Sequence, residues 1–363
     1  MKRIGIDAHM LGDNSGGNER YYENVLKNMD VPEKCGIFIF MKPGIDASGL
    51  EKKYKIIRFK SHNSFARNFI ELPILAKKLK LDILHTQYFV PFLCPCDTFC
   101  TIHDICFEHF DDIFTKGEYI RQKLLIPYAA RHSKKIFTVS EYSKKDIIEH
   151  YRIPEKNIVV TYNGVGKEFR ILSESELNIV GLKEKFGIRS DGYVLSVCNL
   201  QPRKNLIRLI KAFIRLKKEY GGDEQLVIVG KKAWMYNEII SEAMQSSKDI
   251  VFTDYVSNED LIRLYNGASC FVYPSFFEGF GIPPLEAMAC GTPVAVSNNT
   301  SLPEVVGTAG IYFNPFSVEE IMAAIKRLLD DEELRQCLIQ RGLERSKEFS
   351  WKEAAGKVVG EYK

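Results

Sequence analysis

The chain has 363 residues, 45% hydrophobic and 27% charged, with a formal net charge of +3. That length favours two domains over a single core, and the composition is that of a globular protein rather than a disordered or fibrous one. A charge so small and evenly mixed excludes a nucleic-acid surface as the basis of function. The opening Met1-Lys2-Arg3-Ile4 runs directly into a strand pattern, and no apolar run approaches ~18 residues, so neither a signal peptide nor a membrane span is expected. Nine cysteines without a regular framework point to a reducing, cytoplasmic setting.

Strand patterns fall at Arg3–Ala8, Cys35–Met41, Lys55–Phe59, Asp82–Thr86, Asp97–His103, Lys135–Ser140 and Asn157–Tyr162. Helical patterns lie between several of them: Asn18–Met29, Phe65–Lys80 with a kink expected at Pro73, and Lys116–His132. Such alternation predicts a mainly parallel sheet covered on both faces. The pattern loosens through Leu172-Ser-Glu-Ser-Glu, which reads as a linker. The scheme then repeats, with strands at Tyr193–Val197, Gln225–Val229, Ile250–Thr253, Cys270–Tyr273, Pro293–Val296 and Gly310–Phe313, and a last helix over Ser350–Tyr362. The expected class is α/β with two Rossmann-like domains, 1–166 and 173–348, and a tail, 349–363.

Ligands of open α/β sheets bind beyond the carboxyl ends of strands, so residues following strands carry the functional information. After the first strand, Gly16-Gly17 precedes a helix and could form a backbone nest for phosphate or sugar; an ordinary turn explains it equally well. No G-x-G-x-x-G occurs there, which speaks against an oxidoreductase. His103 stands in Thr-Ile-His-Asp at a strand end, where a simple bond to Asp104 would account for it. Arg203 and Lys204 precede an amphipathic helix (Leu206, Leu209, Ile210, Phe213); two cations at a helix start oppose its dipole unless an anion sits there. Tyr255 and Val256 follow the strand at Ile250–Thr253.

The densest stretch is Cys270–Val296. A strand leads into Glu278-Gly279-Phe280-Gly281 and then a short helix, with Pro284 suited to its first position and Gly291 to the residue just past its end. Free backbone N–H groups and the positive end of a dipole then meet beside Leu285, which makes an anion site. Glu278 and Glu286 flank that point; as polar residues of a binding cleft they are not expected to be core. Cys94, Cys96, Cys100 and Cys106 lie near His103 and His109, but no C-x2-C pair exists, so no metal site is expected. The basic pairs Lys77-Lys78, Lys134-Lys135, Lys144-Lys145 and Lys217-Lys218 read first as solvated faces; a weak peripheral contact with anionic lipid is the second reading.

The stretch E-G-F-G-I-P-P-L-E-A-M-A-C-G-T-P-V resembles the E-x7-E signature of retaining glycosyltransferases of family 4, which have the GT-B architecture of two Rossmann-like domains with parallel sheets facing a central cleft. The resemblance implies a metal-independent transferase without a cofactor, whose partners are a nucleotide-diphosphate sugar and a glycan or lipid-linked glycan acceptor. It places the acceptor on the first domain and the donor on the second, and packs the last helix back on the first. It assigns His103 to the donor sugar, Asn199, Arg203 and Lys204 to the diphosphate, and Tyr255 and Val256 to the base. Gly16 and Gly17 would close over the diphosphate. Glu278, with the backbone of Gly279, Phe280 and Gly281, would hold the sugar, and Glu286 the ribose. The position often held by Arg in the family is Asn199 here, so Arg203 and Lys204 must supply the charge. No D-x-D occurs in the chain, so the ligands of the Mg²⁺ route are missing. L-Q-P-R-K-N, G-K-K-A-W and G-I-D-A resemble bacterial mannosyltransferases of surface polysaccharide synthesis, which favours GDP-mannose over UDP-glucose or another UDP-hexose. A phosphorylase or hydrolase of the same fold and a non-catalytic sugar-nucleotide-binding protein are the readings from other classes. The expected location is cytoplasmic, at the inner face of the membrane if the lipid contact is made.

Overall fold

A computed structural model describes residues 1–12, 16–111, 113–233, 236–246 and 248–363 and divides into two compact units, Met1–Gly164 with Ser350–Lys363, and Val165–Phe349. The first unit holds seven strands: β1 Lys2–Asp7, β2 Cys35–Met41, β3 Lys55–Arg58, β4 Ile83–Gln87, β5 Asp97–Thr101, β6 Lys135–Thr138 and β7 Ile158–Val160. They run parallel in the order β3-β2-β1-β4-β5-β6-β7. The register sets Ile4 beside Ile37 and Ile83, and Ile6 beside Ile39 and His85. Such runs are apolar because helices cover both faces. The last ladder bond of β5 runs from Ile102 N–H to Phe137 O (2.8 Å), so His103 lies in the loop beyond the strand rather than inside it.

The helical stretch after β3 breaks where Pro73 predicts. Ser64–Ala66 and Leu72–Leu79 are α-helical, but Arg67–Glu71 between them is a wider π turn in which Leu72 N–H reaches Arg67 O. Pro73 has no N–H to give the preceding turn, and the ladder widens around it. The helix Lys116–His132 starts at Thr115, whose hydroxyl accepts from Glu118 N–H.

In the second unit β8 Tyr193–Val197, β9 Gln225–Val229, β10 Ile250–Asp254, β11 Cys270–Tyr273, β12 Val294–Ser297 and β13 Gly310–Phe313 form a parallel sheet in the order β10-β9-β8-β11-β12-β13. The order reverses between β8 and β11, as it does between β1 and β4 in the first unit. At such a switch point the loops leave in opposite directions and open a crevice at the strand ends. The presumed linker is instead ordered structure of this unit. Ser173 and Glu176 form a capping box on the helix Glu174–Leu177, and Leu172 N–H donates to Asn266 Oδ1 at 2.8 Å. Serine with glutamate three residues on is a helix-start signature, and here it outweighs the loss of apolar period.

The final helix, Trp351–Tyr362, belongs to the first unit. Its Trp351 backbone leaves no room for a Cβ at Gly164 (2.3 Å), and the Tyr362 hydroxyl meets Nδ1 of buried His85 at 2.5 Å. His85 Nε2 lies 2.8 Å from the Thr101 hydroxyl, so both ring nitrogens are engaged. Tyr362→Phe keeps the ring but leaves a buried nitrogen without its partner. The expected loss is about 1–3 kcal/mol in urea unfolding, and an unchanged midpoint would show that this bond contributes nothing to docking the helix.

Candidate active site

The sequence brings cations to the end of β8 and a carboxylate to the end of β11, and the sheet order makes these strands neighbours. Pro202–Lys204 forms a 3-10 turn, and Asn205, left-handed at φ 55°, redirects the chain into the helix Leu206–Tyr220. Lys204 Nζ donates to Glu278 Oε1 (2.6 Å) and to the Tyr273 hydroxyl (2.7 Å). Arg203 Nη1 donates to Phe277 O (2.9 Å) and lies 3.4 Å from Glu278 Oε2. The anion that makes two cations tolerable ahead of a helix is therefore the chain's own Glu278, a partner the sequence reading assigned to sugar. Three charges in one place leave a net positive one. Lys204 and Glu278 are buried, whereas the Arg203 side chain is 21% exposed.

Contrary to expectation, both glutamates belong to the interior, with Glu278 6% and Glu286 2% exposed. Burial alone would raise the Glu278 carboxyl, but Lys204 and Arg203 outweigh it and hold it below the usual carboxylate range. Burial and Arg203 draw the Lys204 ammonium down while Glu278 draws it up, with a net lowering. Glu286 Oε2 accepts from the buried Tyr265 hydroxyl at 3.0 Å. Both bonds are long-range, which is why spacing alone did not reveal that these carboxylates are enclosed.

The helix Ile282–Ala289 starts ahead of the expected Pro284, with Ile282 and Pro283 opening it. Gly281 is left-handed (φ 107°), and a Cβ there would meet Leu302 at 2.7 Å, so glycine is required at the helix start. At the other end Gly291 (φ 75°) and Thr292 donate to Met288 O and Ala287 O, closing the helix as its sequence predicts. Leu285 and Phe280 are buried, and Ser301 Oγ donates to the carbonyls of Glu278 and Phe280 (2.9 Å each), fixing the glycine loop.

Next along the same sheet edge, Gly230 follows β9 and approaches the backbone of Cys198 so closely that a Cβ would lie 1.9 Å from its carbonyl. This brings the loop after β9 against Asn199, which is half-buried. Lys231 Nζ then stands 4.5 Å from the centre of the Tyr255 ring, itself exposed, while Val256 is buried. Lys231 went unassigned in the sequence reading, although Gly230-Lys231-Lys232 follows a strand as the other site residues do; Trp234 of that motif lies outside the described residues. A recess of about 480 Å³ lined by Lys217, Lys218, Lys248 and Asp249 opens at the amino ends of β9 and β10, the opposite edge.

In the first unit Gly16 (φ 86°) caps the helix Gly17–Asn28, no atom of the described residues lies within 4 Å of a Cβ built at either glycine, and Glu19 Oε1 accepts from Gly12 N–H at 2.6 Å. Asp13, Asn14 and Ser15 lie outside the described residues. His103 does not pair with Asp104, whose Oδ1 accepts from Cys106 N–H. Its Nε2 instead accepts from Gln87 Nε2 at 2.6 Å, and Tyr21 packs edge-on at 5.0 Å. Burial lowers the imidazole to about 3, so His103 is a neutral hydrogen-bonding group near pH 7. Gln87 is at the end of β4 and His103 beyond β5, so the pair follows from strand adjacency. Among the described residues, His109, Asp146 and His150 could together hold a metal ion; the Asp146 carboxylate lies 2.9 Å from His109 Nε2 and 3.1 Å from His150 Nδ1.

The model of the family described as Glycosyl transferases group 1 matches residues 182–345, and that of Glycosyltransferase Family 4 matches residues 16–169. Escherichia coli O-antigen chain mannosyltransferase B is 35% identical over 272 residues, 72% of this chain and 69% of that one. The serotype-specific mannosyltransferase WbdA of Escherichia coli is 33% identical over 271 residues, 72% of this chain, which spans about a third (32%) of that protein. The chain belongs to glycosyltransferase family 4 and is a glycosyltransferase. Its fold is that of the GT-B enzymes. WaaG, a glycosyltransferase involved in lipopolysaccharide biosynthesis, superposes with a TM-score of 0.78 at 17% identity, over 98% of each chain. Anabaena Alr3699/HepE in complex with UDP and glucose gives 0.77 at 18%, over 99% of each.

Two buried histidines make stability depend on pH. Burial holds His85 and His103 at about 3, below the usual 6.5. Between those values the unfolded chain binds more protons, so stability is full above about 6.5 and falls as the pH drops toward 3. At pH 5 the loss relative to pH 7 should be about 2 kcal/mol per histidine. Urea unfolding across that range checks it, with a shallower slope expected for His103→Asn; a flat profile would refute the neutral assignment.

Proposed function

We propose that the chain transfers mannose from GDP-mannose, with retention and without a metal, to a glycan or lipid-linked glycan of surface polysaccharide at the cytoplasmic face of a membrane. The observation that carries this reading is the Arg203–Lys204–Glu278 cluster at the switch point of the second sheet, beside the start of the helix Ile282–Ala289. Departure of a nucleoside diphosphate builds charge on its oxygens, and a partly exposed guanidinium backed by a buried ammonium favours that charge. In the step, the anomeric C–O bond to phosphate breaks and the bond to the acceptor oxygen forms on the same face; the acceptor proton passes to a leaving phosphate oxygen. Glu278 holds the cations in place and meets the sugar, and Glu286 meets the ribose. His103, being neutral, accepts or donates a hydrogen bond to the sugar rather than carrying charge. The two Escherichia coli relatives are mannosyltransferases, which favours mannose; the UDP and glucose bound by the Anabaena protein make a UDP-hexose the second donor to try.

Saturating GDP-mannose, at about 100 times its Kd, should add about 2.7 kcal/mol of stability where UDP-glucose adds little. Transfer to a polysaccharide-derived acceptor should give an α-linked product. A UDP-sugar preference would replace the donor, and binding without turnover on any acceptor would make the chain a sensor. Activity should survive EDTA; full loss restored by Mg²⁺ would sink the metal-free step.

The glutamates should separate kinetically. Glu286→Gln is expected to raise donor KM and weaken GDP, with a smaller effect on kcat. Glu278→Gln should lower kcat and kcat/KM together, with GDP weakened less than by Glu286→Gln. Because Glu278 is buried against Lys204, this variant should also lose stability, up to about 3–5 kcal/mol. The reverse kinetic pattern would mean that the donor lies the other way along this helix.

A further inference from the structure

The first unit exposes large apolar side chains in three neighbouring segments. Phe65, Ile70 and Ile74 come from the broken helix over 64–79, Phe92 and Leu93 from the loop after β4, and Leu124 from the helix Lys116–His132; Leu93 is 86% exposed. Aromatic rings join these segments into one track. Phe65 and Phe69 lie 4.9 Å apart, Phe69 and Phe92 stack at 4.7 Å, and Phe92 meets Tyr128 edge-on at 4.9 Å. The Tyr128 hydroxyl donates to Phe92 O at 3.0 Å, so the loop is fixed to the helix with its apolar residues facing outward. Ile120 and Leu124 precede Tyr128 by two turns and one on the same helical face. Apolar residues scattered singly need no explanation, but a continuous exposed patch marks an interaction surface.

The charge around the track identifies what it meets. Segment 60–80 carries five cations (Lys60, Arg67, Lys77, Lys78, Lys80) against one carboxylate, Glu71. Segment 113–134 carries five (Lys116, Arg121, Lys123, Arg131, Lys134) against Glu118, and the loop 88–96 carries none. The whole chain is only +3, so the rest of it is net negative and the apolar track lies in its positive part. Arg67 is buried, and Lys123 and Lys134 are paired with Glu108 and Asp97. Lys77, Lys78, Lys80, Lys116, Arg121 and Arg131 are exposed, and no ion pair forms on them among the described residues. Both local carboxylates are already engaged, Glu71 with the N–H groups of Lys60 and Ser61 and Glu118 with the Thr115 hydroxyl. A protein partner's interface core is depleted of lysine. Aromatic and aliphatic side chains bordered by lysine and arginine are the composition of a surface lying in a lipid interface, the apolar groups reaching the acyl boundary and the cations meeting phosphate.

We propose that this face docks on a bilayer rich in anionic lipid, with Phe92 and Leu93 entering the headgroup–acyl boundary. The docking asks nothing of the donor, so a failed transferase assay and a failed vesicle assay are separate results. The test is sedimentation of the full chain with phosphatidylglycerol-rich vesicles and with phosphatidylcholine vesicles. Binding to the first should exceed binding to the second by about tenfold or more and fall with salt. Phe92→Ser with Leu93→Ser, and separately Lys77→Glu with Lys78→Glu, should each weaken it about tenfold. Both variants should stay folded, with melting temperatures lowered by a few degrees at most, because these side chains are exposed and lose only surface packing or a helix-end charge. Lys217→Glu with Lys218→Glu on the second unit should bind as the parent does. Absence of binding, equal binding to both vesicle types, or variants that bind like the parent would overturn the proposal. So would light scattering that shows a dimer dissolved by the Phe92/Leu93 variant, since a second copy would then cover the face.

Discussion

A buried ammonium and a buried carboxylate, Lys204 and Glu278, set the arrangement of the second unit's ligand edge. Neither could remain charged away from water without the other, since an isolated buried charge costs far more than the interaction returns. Meeting at 2.6 Å, they draw together the loops that leave β8 and β11 in opposite directions. Two further bonds follow the same seam: Phe276 N–H donates to Arg203 O at 3.0 Å, and the Asn205 side-chain Nδ2 donates to Pro274 O at 2.9 Å. The Arg203 guanidinium reaches Phe277 O on the loop that runs through left-handed Gly281 into the helix Ile282–Ala289. The edge is thus preorganised, with its net charge in place before any anion arrives.

Much of the fold could be read from residues in order. Strand patterns reappear as β1 to β13 with ends moved by a residue or two, since parallel strands covered on both faces must be apolar runs bounded by turn residues. Pro73 announced its break, and Gly291 its helix end. Ser173-Glu-Ser-Glu176 was misread because polarity drew attention away from a capping box that the same letters spell. The site was legible as a set of positions after strands and illegible as a set of pairs. Glu278 with Lys204, Glu286 with Tyr265 and His103 with Gln87 all join residues distant in sequence, and only strand order brings them together. The exposed track through Phe65, Phe92 and Leu124 was hidden for a related reason: helical period shows which residues share a face, not what covers that face.

The first unit solves a different electrostatic problem. Near the buried Asp7 carboxylate it gathers a group of uncharged polar side chains: His85, His103, Tyr21, Tyr22 and Thr101 are buried and linked by hydrogen bonds or ring contacts. Burial keeps both imidazoles neutral and raises the Tyr21 hydroxyl to about 12. A neutral network can point donors and acceptors at a hydroxyl-rich ligand without repelling or trapping an anion, as suits the place beside sugar proposed for His103.

The docking of Trp351–Tyr362 on a sheet begun at Lys2 also dictates the order in which the chain can be finished. A ribosome releases β1 through β7 long before it releases Tyr362, and the His85–Tyr362 bond spans 277 positions. During synthesis the first sheet must wait, with Gly164 and His85 uncovered, while the whole of Val165–Phe349 emerges and folds. The unit encoded first is therefore completed last, and the nascent chain depends on the second unit folding promptly to shorten that exposure.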